Sequence, residues 1–268
     1  MIRRYGIAVL AATLFLAMLH PPPARAEVVT IAKSYTYAAG PFESRESSRV
    51  VALARAKLLV FSAVAARAGA PEEEAVLAPG VVGVREGAHG WDGSEFRAEV
   101  FASLEPGAAA SRLEDLAADS LRAQDLRDLG GRRTEALGAI EKLKKEGGPG
   151  EGGRYEKLVR ELVAVDAAER GYAALAAGSY PAAEKHFAKA IGTTPRDAAA
   201  YYNRGVARWL LEDYHRAFGD FRRALEIRPG YERAERSLAQ AREFFNRLEA
   251  TVRYYDRAIA ISPAEVDL

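Results

Sequence analysis

The stretch GYAALAAGSYPAAEKHFAKAIGTTP, residues 171–195, decides the fold. It interleaves very small residues with rings at fixed intervals: Gly171, Tyr180, Ala183, Phe187, Ala190 and Pro195. Sliding the chain by 34 residues gives GVARWLLEDYHRAFGDFRRALEIRP, residues 205–229, where the same types return as Gly205, Tyr214, Ala217, Phe221, Ala224 and Pro229. An internal period of this length marks stacked structural repeats. Each unit reads as two helical segments separated by a turn, and such a pair can bury its apolar faces only against a neighbouring pair. Small residues belong where helices cross closely, rings fill the space between them, and proline stops the second helix.

Both units match the Gly, Tyr, Ala, aromatic, Ala, Pro series of tetratricopeptide repeats, and the segment resembles that family. A third, weaker unit carries Ala239, Leu248, Thr251, Tyr255, Ala258 and Pro263 at the same spacing, with alanine in place of the glycine and Thr251 in place of an alanine. Repeats are therefore expected at about 164–197, 198–231 and 232–265, within a domain of residues 154–268. The resemblance implies a groove lined by the first helix of each unit and filled by a protein or peptide. Read across residue by residue, it assigns Ala168, Tyr172 and Leu175, then Tyr202, Val206 and Trp209, then Arg236, Gln240 and Glu243. Such a groove is aromatic at one end and charged at the other, which suits an amphipathic or partly acidic peptide. The same rings also suit packing against preceding helices such as YEKLVRELVAV, and both readings stay open. Chaperone-tail binders of the family carry a Lys and Asn clamp where this chain has Tyr202 and Val206, which speaks against that role. Only five residues follow Pro263, so Val252, Tyr255 and Ile259 are expected to form an apolar C-terminal face. A partner, a second copy, or the chain's own N-terminal helices would cover it.

Residues 27–106 alternate between strand and helix patterns. VVTIAKSYTY places Val29, Ile31, Tyr35 and Tyr37 on one side of a strand, and Val50, Val51, Ala54, Leu58, Phe61 and Ala65 then recur at helical spacing. A helix is predicted over about 44–67, followed by a short strand in GVVGVRE, a turn in GAHGWDG and a final strand in SEFRAEVFASL. The fold class expected is thus an α+β domain of β-α-β-β order followed by an all-α array. The wording of this segment, with Tyr35, Ser44, Arg45, Arg49, Ala52, Ala56 and Lys57, resembles the N-terminal domain of the flagellar assembly T protein and related bacterial envelope proteins. Residues 107–153 read as a helical connector, divided in two by Gly130 and Gly131 and closed by the flexible linker GGPGEGG. No GK[ST] follows those glycines, so a phosphate-binding loop is not expected.

The first 26 residues have the form of a secretory leader. Arg3 and Arg4 precede an apolar run of 13 residues, and in ARA, residues 24–26, Ala24 and Ala26 supply the small residues a signal peptidase requires. The run is short for a membrane span, which needs roughly 18–20 residues. Export with cleavage after Ala26 is the expectation, with a periplasmic location and no membrane span retained. The chain has no cysteine, so neither disulfides nor a lipid-modified cysteine is available. Of 268 residues 49% are hydrophobic and 28% charged, enough apolar surface for a sizeable core. Without the three leader arginines the charge is slightly acidic, which argues against nucleic acid as the partner.

Catalytic chemistry has little to stand on. His89, His186 and His215 lie in separate segments with no carboxylate at ligand spacing, and the sequence contains no GxSxG, HExxH or calcium-loop pattern. The carboxylates of PEEE, residues 71–74, read as a solvated helix start. No catalytic residue, metal or cofactor is expected. The reading is a non-catalytic adaptor that binds protein in the cell envelope. A structural subunit of an envelope assembly, self-associating through the last helix, is the alternative. A third, less favoured, is an enzyme or cell-wall ligand carrier with a pocket near His89 and Trp91.

Overall fold

The computed structural model describes residues 27–40, 43–146 and 151–261. The expected leader, most of the glycine linker and the last residues lie outside the described residues. Strand β1 (Val29–Ala38) is followed by helix α1 (Arg45–Ala68), a 3₁₀ segment (Glu72–Gly80), and strands β2 (Val84–Asp92) and β3 (Glu95–Leu104). The strands form one antiparallel sheet in the order β1-β3-β2, with Val29 opposite Leu104 and Val84 opposite Ala102. Alternation along β3 turns Phe96, Ala98, Val100, Ala102 and Leu104 inward. Onto that face α1 packs Val51, Ala52, Ala56, Val60 and Val64. Ser44 caps α1 by accepting a hydrogen bond from the Ser47 amide at 3.1 Å, and Gly69 ends it in the left-handed conformation.

The segment expected to be a turn, residues 87–93, is mostly strand. β2 continues through His89 and Trp91, whose rings pack on Phe96 at 6.0 and 5.2 Å, and a bulge between Glu86 and His89 takes up Gly87 and Ala88. The chain reverses only at Gly93 and Ser94.

Among the described residues seven further helices follow: α2 (Pro106–Ala118), α3 (Ser120–Glu146), α4 (Gly152–Ala176), α5 (Tyr180–Thr193), α6 (Ala198–Leu210), α7 (Tyr214–Ile227) and α8 (Glu232–Ile261). Gly130 and Gly131 do not divide the connector, because α3 runs straight through them. The break falls at Asp119, whose carboxylate accepts a hydrogen bond from the Arg122 amide at 3.1 Å. Gly130 instead makes room for Val76, which would stand 3.0 Å from an added Cβ.

The two strong repeats form helical hairpins, α4 with α5 and α6 with α7. Gly178 at φ 70° and Glu212 at φ 63° make their turns. The third unit does not form a pair, since α8 is one continuous helix across residues 245–247, where the earlier units turn. In the second unit Asp213 caps the helix after the turn by accepting from the Arg216 amide, whereas the equivalent residue here is Arg247, whose side chain has no acceptor to offer, and helix-compatible residues continue on both sides. In each hairpin a glycine lies directly beneath a ring: a Cβ on Gly171 would come within 2.7 Å of Phe187, and one on Gly205 within 2.7 Å of Phe221.

The sheet module and the array share one core, which extends from Tyr37 through α1 and α3 to Phe187 and Ala207. Across their junction runs a chain of alternating charges. Arg49 donates to Glu86 at 2.9 Å, Arg170 donates to Glu86 at 2.7 Å and to Asp166 at 2.9 Å, and Lys57 pairs with both Asp166 and Glu169. Arg133, from α3, pairs with Glu169 at the buried end and lies over the Phe61 ring. Burial pushes Glu86 up, but hydrogen bonds and charge from Arg170 and Arg49 outweigh it and hold the carboxyl below its ordinary 4.5. Asp166 is likewise held below 3.8, the charges of Lys57 and Arg170 overcoming desolvation.

Two tests follow from this packing. Gly171→Ala or Gly205→Ala is expected to cost about 1–3 kcal/mol by overpacking. Gly219→Ala, at an exposed mid-helix position with nothing near its Cβ, is expected to add about 0.4–1 kcal/mol. Equal effects at the three sites in urea denaturation would show that the glycines do not mark close contact. A carboxyl held below its unfolded value contributes stability above that value and loses it as the pH falls through the folded one. Stability is therefore expected to drop between about pH 5 and pH 3, with a shallower slope in Glu86→Gln; an unchanged slope would remove Glu86 from the account.

Candidate functional site

The first helices of the repeats present the positions that the sequence assigns to a groove. Ala168 and Tyr172 lie on α4, and Tyr172 is only 2% exposed. Its hydroxyl accepts a hydrogen bond from Asn203 at 2.9 Å, and its ring meets Phe187 edge-on at 5.4 Å. Burial pushes that hydroxyl well above its usual range. Leu175 is half-buried against the main core. On α6, Tyr202 is 7% exposed and packs on Phe221 and Tyr231, with the Arg233 guanidinium 4.5 Å above its ring. The near end of the expected groove is thus occupied by packing within the protein.

What covers it is the connector helix. Asp125 on α3 accepts hydrogen bonds from the Tyr231 hydroxyl and from Arg233, and Arg228 stands 3.7 Å away. One turn further, Leu129 lies over the same floor, and Arg132 pairs with Glu161 at 2.5 Å and Asp197 at 2.6 Å. Asp197 also caps α6, its second oxygen accepting from the Ala200 amide at 2.9 Å. Between α3 and the floor formed by Ala168, Tyr172 and Ala200 remains a space of about 50 Å³. Burial raises the Asp125 carboxyl above its ordinary range against the Tyr231 hydrogen bond and the Arg233 charge.

The far end is open. Val206 and Trp209 are half-buried, and Trp209 meets Tyr214 and Phe244 at 4.8 and 5.4 Å. Arg236, Gln240 and Glu243 on α8 are exposed, Arg236 pairing with Glu232 one turn back. The expected set therefore divides: Tyr172 and Tyr202 lie under cover, while Trp209, Arg236 and Gln240 reach solvent. Asp125, Tyr231 and Arg233 went unrecognised in the sequence, since nothing local to residue 125 indicates which helices it will meet. Of the expected C-terminal face, Val252 is 51% exposed; the side chains of Tyr255 and Ile259 lie outside the described residues. Near His89 and Trp91 lies an open depression on β2 and β3, with Arg45 stacked on the Trp91 ring. Among the described residues no three His, Asp or Glu side chains are grouped to hold a metal ion, and no helix is long and apolar enough to cross a membrane.

Residues 169–232 match the profile of the tetratricopeptide repeat family. The Hsp70-Hsp90 organizing protein of Triticum aestivum is 26% identical over 106 residues, which is 40% of this chain. The chain spans only 18% of that relative's length. Among solved structures, the crystal structure of MamA protein is 21% identical, covers 61% of this chain and 86% of its own, and superposes with a TM-score of 0.31.

Removing the Asp125 carboxylate leaves a buried arginine and a tyrosine hydroxyl without their acceptor. Asp125→Ala is expected to cost about 3–5 kcal/mol. In hydrogen exchange, amides of residues 120–133 should lose protection before those of α5. Uniform loss across the chain would mean that α3 is not separately held by this contact.

Proposed function

We propose that the chain is a non-catalytic adaptor, exported to the cell envelope, which binds a protein or peptide through the open end of its repeat array. The observation that carries this reading is the pair of tandem hairpins with an accessible surface where Trp209 packs on Phe244, while Gln240 and Arg236 stand exposed one and two turns earlier on the same helix α8. An aromatic anchor beside an arginine suits a peptide with an apolar side chain next to a carboxylate. The match to the repeat family supports protein binding, and the leader pattern of residues 1–26 supports export to the periplasm. Resemblance of the first module to the flagellar assembly T protein supports an envelope setting. A chaperone-tail role is not proposed, although one relative is an Hsp70-Hsp90 organizing protein, because Tyr202 is sequestered by packing and Val206 is apolar. The exposure of Leu248 and Val252, 49% and 51%, favours a second reading in which α8 also pairs with another copy.

The test is a photo-crosslinking residue at Gln240, compared with one at Arg222 on the opposite helix of the second repeat, in cells fractionated by osmotic shock. A discrete adduct from position 240 in the periplasmic fraction, absent from position 222 and lost with Trp209→Ala, is the expected result. Adducts of equal intensity from both positions would reject the groove, and recovery with the cytoplasm would reject export. Sedimentation of the purified chain and of Val252→Glu decides the second reading: a concentration-dependent dimer lost in the variant supports it, and a monomer throughout ends it.

A further inference from the structure

A second concavity lies away from the groove. A cleft of about 430 Å³ opens on the other side of α4, between α1, the edge of β2 and α5. Its volume lies within the range of small-molecule sites. Val50 and Leu53 of α1 and Leu162 and Val163 of α4 give it apolar walls. Its floor is the charged chain already described, in which four cations, Arg49, Arg170, Lys57 and Arg133, share three carboxylates. At the two ends of that chain the Nε atoms of Arg49 and Arg133 have no acceptor, although both are buried.

The mouth adds more positive charge without balancing it. Lys185 and Lys189 project from α5 on either side of His186, and neither lysine forms an ion pair with any described residue. Around the whole cleft six cationic side chains stand against four carboxylates. His186 lies within this field. Burial first, and then the Arg170 charge with smaller contributions from Lys189 and Lys185, hold its imidazole below the usual value against the opposing pull of Asp166. Apolar walls above an electropositive floor and mouth are complementary to one class of ligand.

We propose that this cleft binds a small amphipathic anion, a single carboxylate or phosphate group carried on an apolar body. The anionic head sits at the mouth between Lys185 and Lys189, and the apolar body lies against Leu53 and Val163. This site is separate from the groove, because α4 turns Asp166, Glu169 and Arg170 toward the cleft and Ala168 and Tyr172 toward α3.

The experiment titrates the purified chain with octanoate, octyl phosphate, octan-1-ol and inorganic phosphate. It follows the His186 ring resonances by NMR and the heat of binding by calorimetry. Saturable binding of octanoate or octyl phosphate with an upward shift of the His186 pKa is expected, at least tenfold tighter than either octanol or inorganic phosphate. The stronger of the first two identifies the head group. The Lys185→Glu, Lys189→Glu variant, altered only on an exposed helix face and checked for unchanged thermal unfolding, should bind at least tenfold more weakly. A second variant, Leu53→Asn, which removes apolar contact without adding charge, should weaken octanoate while leaving inorganic phosphate unchanged. No saturable response to either amphiphile, equal binding by the lysine variant, or octanol binding as tightly as octanoate would each overturn the proposal.

Discussion

Everything in the array rests on the approach of the Gly171 backbone to the face of the Phe187 ring. A side chain there would stand 2.7 Å from ring carbons, closer than van der Waals contact allows, so the two helices can adopt this spacing only with glycine. The same pairing at Gly205 and Phe221 copies the geometry into the next hairpin. Once α4 is held against α5, its remaining faces are committed as well. Asp166, Glu169 and Arg170 point toward the sheet module, and Ala168 and Tyr172 point toward α3. One helix thereby belongs to three interfaces, which is why a single core runs from the sheet to the second repeat.

That arrangement changes what the groove can do. A partner seeking the floor at Ala168 and Tyr172 must displace α3, leaving Asp125, Tyr231 and Arg233 to find other hydrogen bonds. Each such group left buried without a partner costs about 1–3 kcal/mol or more when charged. A partner at Trp209 and Gln240 meets no such competitor, and the surface there is already formed by the packing of Trp209 on Tyr214 and Phe244. Binding energy at the open end is not diverted into rearranging the protein, which is the physical ground for the recognition proposed there.

How far the sequence discloses this depends on how local the determining contacts are. Gly171 and Phe187 sit within one unit, so their spacing alone announces both hairpins. Alternation in residues 96–104 announces β3 for the same reason, because each inward residue is set by its own strand. The single helix α8 departs from the expected pair because the period preserved Tyr255 and Pro263 while the cap after the turn was lost; Arg247 stands where the second unit has the capping Asp213. Gly130 misleads in the opposite sense, since its glycine serves Val76 across space and leaves its own helix intact. The cover over the groove and the charged chain join residues such as 125 with 233 and 57 with 166, and no local pattern encodes those pairings.

The junction between module and array is charged where an apolar contact would hold at least as well, since replacing buried ion pairs by packed hydrophobic groups is often neutral or stabilising. What charge adds here is register. Lys57 enters between Asp166 and Glu169, three residues apart on α4, while Arg170 reaches past them to Glu86, which Arg49 holds from the other side. Sliding α4 along α1 by one helical turn, about 5.4 Å, would leave the buried Lys57 facing one carboxylate or none. The rows of alanine and valine around it would tolerate the same slide far better. The alternating order of the charges therefore selects one seating of the array on the sheet module, and with it the position of α3 over the groove, because Arg133 of that helix closes the chain on Glu169.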